Sequence, residues 1–153
     1  MRVFALMPFC RAEKAHTTRH LSEGKQFEFE MGFFADWREI LDVQEGCLKF
    51  IWKQLHKACA AEMALFSQKM RIPEDVAFPR LRFREAQELY YQRTGVDERN
   101  ETDLSPAAEK ELCRWAFEIH GTDCVFITDW LTVKRPFYAY PNDDNPDLSN
   151  TFD

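Results

Sequence analysis

Cys10–Phe33 reads CRAEKAHTTRHLSEGKQFEFEMGF, and this stretch decides the fold. From Gln26 to Phe34, Phe27, Phe29, Met31 and Phe33 alternate with Glu28, Glu30 and Gly32, the period of two expected of a half-buried strand. Upstream, Arg2 to Phe9 is rich in apolar residues and reads as a second strand. The two together predict an antiparallel hairpin whose polar tip, Lys14 to Ser22, is too long for a two-residue turn and is a place where function concentrates. Alternation puts Glu28 and Glu30 on one face, opposite the phenylalanines.

A chain of 153 residues with 45% hydrophobic content is long enough for one core, and 14 phenylalanines with 4 tryptophans argue against disorder. The net charge of −6 excludes a protein that coats nucleic acid through bulk positive charge. The charge is uneven, however. Arg11, Lys14 and Arg19 with His16 and His20 face a single acid, Glu13, whereas the tail from Asn142 to Asp153 holds only acids. Five cysteines without a C-x-x-C pair indicate neither a disulfide framework nor a zinc ribbon, and reduced thiols in a cytoplasmic setting are expected. The apolar run after Arg2 is interrupted by Pro8, Cys10 and Arg11, so neither a signal peptide nor a membrane span is expected.

Beyond Asp36 the period lengthens. Trp37, Ile40, Leu41, Leu48, Ile51, Trp52, Leu55, Cys59, Met63 and Phe66 recur at three- and four-residue steps, predicting one long amphipathic helix over about 36–69 with its apolar stripe in the core. Asp36 and Glu39 have capping-box spacing at its start. Arg71 to Pro79 is a connector, Leu81 to Phe83 a short strand, and Arg84 to Arg93 a helix closed by Gly95. Val96 to Leu104 reads as a loop. Ser105 followed by Pro106 opens a helix that Gly121 closes. Cys124 to Asp129 and Pro136 to Tyr140 read as strands, the latter at an edge because of its proline. The acidic PNDDNPDLSNTFD segment is expected to be turn-rich, without a closing strand.

Arginine offers a planar fork of donors suited to phosphate, so Arg11 at a strand end beside Lys14 and Arg19 fits a polyphosphate ligand. Glu13 shares its face and suits an amino group. Solvated charge on an exposed hairpin accounts for the same residues. His16, His20, Glu13 and Cys10 lack metal-site spacing. With 5 glycines and no G-x-x-x-x-G-K, G-x-G-x-x-G or G-x-S-x-G, Walker, Rossmann and hydrolase-elbow chemistry are disfavoured.

Arg11-Ala12-Glu13, then Thr17-Thr18-Arg19-His20-Leu21 with Glu23, then Phe27-Glu28-Phe29-Glu30-Met31, resembles motif 2 of the class II aminoacyl-tRNA synthetases, in the form typical of the aspartyl-tRNA synthetases of archaea and eukaryotes. Further blocks agree in order: Phe78-Pro79-Arg80, Asp103-Leu104-Ser105, Phe126 to Trp130, Lys134 to Tyr138, Asn145-Pro146 and Phe152-Asp153. The resemblance implies an α+β fold, part of a class II catalytic domain with an antiparallel sheet and flanking helices: a motif 2 hairpin over 1–34, the long helix over about 36–69, and an α+β remainder over 78–153. It implies activation of aspartate by ATP, with Mg²⁺, and transfer to the 3′ end of a tRNA. By likeness, Arg11 is the catalytic residue, holding the α-phosphate and the amino-acid carboxylate. Ala12, Glu13, Arg19, His20 and Leu21 line the ATP site with it, and Glu28 faces the ammonium of the substrate. The loop 14–22 approaches the acceptor end of the tRNA.

Three positions depart from the pattern. Gly24 stands where many relatives carry a phenylalanine that stacks on adenine, leaving that platform missing or supplied by His20. Glu28 stands where relatives often have an aspartate, and Leu131 where a proline is usual. Motif 1, the lysine-bearing aspartate loop, the anticodon-binding barrel, and motif 3 with its arginine lie outside these residues, as do the expected Mg²⁺ ligands. The expectation is an internal piece of a cytoplasmic, homodimeric enzyme that makes no membrane contact, inactive by itself. Asparaginyl-tRNA synthetase, a synthetase-like asparagine-forming enzyme and a non-catalytic binding module remain alternatives.

Overall fold

The computed structural model describes residues 1–12, 21–65 and 70–153. These form two compact units, Met1–Ile40 and Leu41–Asp153.

The first unit is the hairpin. Strand β1, Arg2–Cys10, pairs antiparallel with β2, Glu23–Met31, in an unbroken register from Arg2 opposite Met31 to Cys10 opposite Glu23. β2 begins three residues earlier and ends three residues earlier than alternation suggests, because the ladder is set by the partner strand. Past Gly32, Phe33 turns out of the strand with φ 62°. Phe4, Leu6, Phe27 and Phe29 share a face, as the period of two requires, yet Phe4 and Phe27 are 77% and 53% exposed. The expected half-burial of that face is not met within this unit.

Asp36 and Glu39 start helix α1, Glu39–Ala58, with capping contacts: the Glu39 carboxylate accepts from the Asp36 backbone N–H at 3.2 Å, and Asp36 Oδ1 from that of Arg38 at 2.9 Å. The single helix over 36–69 is corrected to α1 and a short α2, Ala60–Leu65, separated by Cys59; residues 66–69 lie outside the described residues. The Cys59 N–H still donates to Leu55 at 2.8 Å and its carbonyl accepts from Met63 at 2.9 Å, so the interruption is a distortion of one helical path. Nothing in Ala58-Cys59-Ala60-Ala61 disfavours a helix. No residue of α2 is buried, so packing does not hold the geometry there. The expected core role of the stripe is also corrected: Leu41 is its one buried residue among those described, and Ile51 and Leu55 are exposed.

The core of the second unit lies between helices α3, Phe83–Thr94, and α4, Pro106–His120, and the parallel strand pair β3, Arg80–Arg82, and β4, Phe126–Thr128. Phe83, Ala86, Tyr90, Ala108, Leu112 and Trp130 meet here, with the Phe83 and Trp130 rings 4.8 Å apart. The helix ends follow local chemistry. Ser105 Oγ accepts from the Ala108 N–H at 3.1 Å, Pro106 occupies the first helical position, and Gly95 and Gly121 close their helices at φ 75° and 77°, where a side chain is disfavoured.

Pro136–Tyr140 is corrected from strand to turn: the Ala139 N–H donates back to Pro136 at 2.9 Å, and Phe137 and Tyr138 are exposed. The tail, expected to lack a closing strand, returns along the core through isolated antiparallel bridges, Pro141 with Ser149, Leu131 with Leu148 and Thr128 with Phe152. β4 is thereby flanked by β3 on one side and by this return on the other.

Candidate functional site

The ladder of the hairpin runs one step beyond its last strand pair, since the Arg11 N–H donates to the Ser22 carbonyl at 2.7 Å. This places Arg11 in strand-like alternation with Val3, Ala5, Met7 and Phe9. Directly paired residues share a face, so Gly24, Gln26, Glu28 and Glu30 lie on the same side as Arg11. The polar face of the hairpin therefore carries a guanidinium at its tip end and carboxylates farther along, on a two-stranded ladder.

Each group is placed by its neighbours. The Arg11 guanidinium lies 5.6 Å from the centroid of the Phe9 ring, a cation–π distance, and the side chain is otherwise exposed. Gln26 Nε2 donates to Glu28 Oε1, which orients that carboxylate along the strand. Glu28 lines a shallow cleft of about 230 Å³ with Val3, Ala5, Met7 and Glu30. A positive fork and a carboxylate on one open face can bind a ligand that has an anionic group at one end and an ammonium at the other.

Of the residues singled out from sequence, Arg11 and Glu28 share this face, and Ala12 and Leu21 are exposed at the base of the loop. Glu13, Arg19 and His20 lie outside the described residues. Two contributors were not anticipated. Gln26 holds Glu28, and Phe9 lies against Gly24: a β-carbon added at Gly24 would come within 2.8 Å of the Phe9 ring. The signal for the second was a glycine inside a strand, which often marks a close approach by a neighbour. Among the described residues no group of three or more histidine, cysteine or acidic side chains is arranged to hold a metal ion.

Several of the other blocks of the resemblance contact one another. The Arg135 guanidinium stacks 4.6 Å from the Trp130 ring and reaches Asp153 Oδ2 at 2.8 Å, tying three blocks together. Ser149, fully buried, donates from its Oγ to the Trp130 carbonyl at 2.9 Å. Asp129 adopts φ 54°, a conformation that aspartate tolerates, with Oδ2 accepting from the Thr128 hydroxyl at 2.7 Å.

Residues 1–153 match the family described as tRNA synthetases class II (D, K and N). An aspartate–tRNA(Asp/Asn) ligase of Archaeoglobus fulgidus is 36% identical over 152 residues, covering 99% of this chain and 34% of the relative. The Thermus thermophilus protein of the same name is 33% identical over 144 residues, 94% of this chain and 33% of the relative. Among solved structures, an aspartyl-tRNA synthetase from Entamoeba histolytica superposes with a TM-score of 0.84 at 29% identity, over 99% of this chain and 32% of its own. Asparaginyl-tRNA synthetase from Pyrococcus horikoshii, complexed with asparaginyl-adenylate, shares the fold at a TM-score of 0.81 and 24% identity, over 99% of this chain and 34% of its own. The chain thus spans about a third of the length of the curated relatives it matches. No helix among the described residues is long and apolar enough to cross a membrane. With the whole of residues 1–153 matched, this chain belongs to the class II tRNA synthetases of the D, K and N group.

Proposed function

We propose that the chain supplies one wall of a site that activates aspartate with ATP and passes the aspartyl group to the 3′ end of a tRNA. The observation that carries this reading is the placement of Arg11 and Glu28 on one face of a paired ladder. In the reaction, a carboxylate oxygen of aspartate attacks the α-phosphorus of ATP, the bond to the bridging oxygen breaks, and pyrophosphate leaves with the electron pair. Negative charge builds on the oxygens of the α-phosphate as this proceeds. A guanidinium fork at Arg11 stabilises that charge more than it stabilises the ground state, which is what accelerates the step. Glu28, oriented by Gln26, receives the ammonium of the amino acid. Its extra methylene relative to aspartate shifts the carboxylate outward and sets how deeply the amino acid sits.

Ala12, Glu13, Arg19, His20 and Leu21 line the nucleotide side in this reading, and the loop 14–22 meets the acceptor end of the tRNA. Dimerisation, a cytoplasmic location and the use of Mg²⁺ belong to the larger enzyme of which this chain forms part in the proposal.

The test is a chimera in which residues 1–153 replace the corresponding segment of the Archaeoglobus fulgidus ligase, assayed by amino-acid-dependent ATP–pyrophosphate exchange. Aspartate-dependent exchange is expected, with Arg11→Ala lowering it by about 10² to 10³-fold, the usual cost of removing a donor to a developing oxyanion. Exchange that depends on asparagine instead would assign the asparaginyl alternative, and a chimera that is folded yet silent with both amino acids would favour a non-catalytic module. The 153-residue chain alone is expected to show no exchange.

A further inference from the structure

In the second unit a cleft of about 480 Å³ is lined by Arg84, Leu131, Thr132, Val133, Pro146 and Asp147. Its two charges are both set in place and both left open. Arg84 Nη1 donates to Gln87 Oε1 at 2.7 Å and to the Arg99 carbonyl at 2.7 Å, which uses both of its hydrogens, and Gln87 is itself 1% exposed. Nε and Nη2, on the other edge of the guanidinium plane, have no hydrogen-bond partner among the described residues. That edge is a fork able to hold a carboxylate through two parallel bonds, and with the plane already pinned less side-chain freedom is lost when it does so. Asp147 is fixed through its backbone: its carbonyl accepts from the Thr132 N–H at 2.9 Å, and its N–H donates to Asn145 Oδ1 at 3.2 Å. The Thr132 hydroxyl adds a bond to the neighbouring Pro146 carbonyl at 2.9 Å. The Asp147 carboxylate has no partner among the described residues, Arg84 included. The rest of the lining is mostly apolar, from Leu131 at 9% exposed to Val133 at 80%.

We propose that this cleft binds a small zwitterion with an apolar side chain, an aliphatic α-amino acid, with its carboxylate on the Nε–Nη2 edge of Arg84, its ammonium at Asp147 and its side chain against Leu131, Val133 and Pro146. A simple anion gains Arg84 but meets the charge of Asp147, and a simple amine gains Asp147 but meets Arg84. A ligand that carries both charges satisfies both residues at once. The side chain then decides among amino acids. A second carboxylate, as in aspartate, would lie against apolar lining and lose hydration without a partner, so the cleft selects against it. The volume falls within the roughly 300–1,000 Å³ of small-molecule sites. This inference goes beyond the aspartate-activating reading and does not depend on it, since its residues and its class of amino acid both differ from those of the hairpin face.

The experiment is an NMR titration of the isotope-labelled 153-residue chain with L-leucine and, separately, with isocaproate, which is leucine without its ammonium, and isoamylamine, which is leucine without its carboxylate. Binding is read from the methyl signals of Leu131 and Val133, the amides of Thr132 and Asp147, and the Nε–H of Arg84. Leucine is expected to shift all of these in the millimolar range, and each half-molecule to bind about tenfold more weakly, the loss expected on removing one charge-assisted contact. Arg84→Gln should weaken leucine and isocaproate by a similar factor and leave isoamylamine unchanged, and Asp147→Asn should do the reverse. The half-molecule that each variant still binds shows that its cleft is intact. L-Aspartate should bind more weakly than leucine. A half-molecule or L-aspartate that binds the parent chain as tightly as leucine overturns the proposal, and so does the absence of any shift in these signals with leucine at tens of millimolar. Those comparisons need no variant, so they decide the matter even if a substitution prevents folding. Aspartate activation is read from the chimera's exchange assay, so failure of one reading leaves the other standing.

Discussion

Gln87 is 1% exposed in the middle of α3, and its amide ties that helix to the loop 96–104, beside Arg84, whose guanidinium donates to the Arg99 carbonyl at 2.7 Å. Nε2 donates to the carbonyls of Glu98 at 2.7 Å and Glu101 at 2.9 Å, and Oε1 accepts from Arg84 at 2.7 Å. Gln87→Met keeps the volume and removes all three bonds. Arg84 is exposed and recovers water, so two bonds decide the outcome. At about 0.5–1.5 kcal/mol net for each, the expected loss is about 2 kcal/mol. Gln87→Ala adds a cavity to the same loss and should cost roughly 2 kcal/mol more. Urea unfolding followed by tryptophan fluorescence gives both values, and hydrogen exchange shows where the loss falls: amides in 98–104 should lose protection before those in the interior of α3 and α4. A Met variant within 0.5 kcal/mol of the parent, a threshold below the net value of one bond, would refute the assignment of that loop's order to Gln87. So would loop and helix amides losing protection equally.

Two further outcomes follow from named contacts. Ser105→Ala removes the α4 cap and the hydroxyl that donates to Glu98 Oε1 at 2.9 Å, so a loss of about 1–2 kcal/mol is expected in thermal or urea unfolding, with Ser105→Asp recovering the cap and not the donor. Glu111 is pushed toward a higher pKa by burial, but hydrogen bonds from Arg93 and then Arg114 outweigh this and hold it below its ordinary 4.5. Its folded value being the lower one, the stability it adds is full above that ordinary value and is lost as pH falls through the folded value. The stability gap between the parent and Glu111→Gln should therefore narrow on acidification below 4.5, and a gap that is constant or widens would contradict the ion-pair assignment.

The elements that could be read from sequence are those whose cause is local. Alternation of Phe27, Glu28, Phe29 and Glu30 is enough to give the faces of the hairpin and puts Glu28 on the side opposite the phenylalanines. Ser105-Pro106 and Gly121 bracket α4 because capping is chemistry of a few adjacent groups. What stayed hidden depends on distant partners. The pairing of Arg80 with Phe126 joins two strands of three residues, too short for a period to show, and nothing local says that they run parallel. Pro136–Tyr140 has the composition of a strand but finds no ladder, so aromatic content alone misled. In α1 the stripe has helical spacing, yet spacing cannot say what packs against it. At the site, Arg11 and Glu28 were legible through resemblance, whereas the place of Phe9 follows from strand register, which fixes that it faces Gly24.

β4 lies between two partners that come from far away along the chain. Arg80–Arg82 pairs with it on one side, and on the other the Ile127 and Asp153 backbones exchange hydrogen bonds at 3.0 Å in both directions. During synthesis, Phe126–Thr128 leaves the ribosome with β3 available but its second edge open until residues 148–153 have followed. Translation at about 5–20 residues per second sets that interval at a second or more. An open strand edge is a template for pairing with another chain. Arrival of the tail closes that edge, so the time between synthesis of the two segments is the interval in which the nascent strand is open to association.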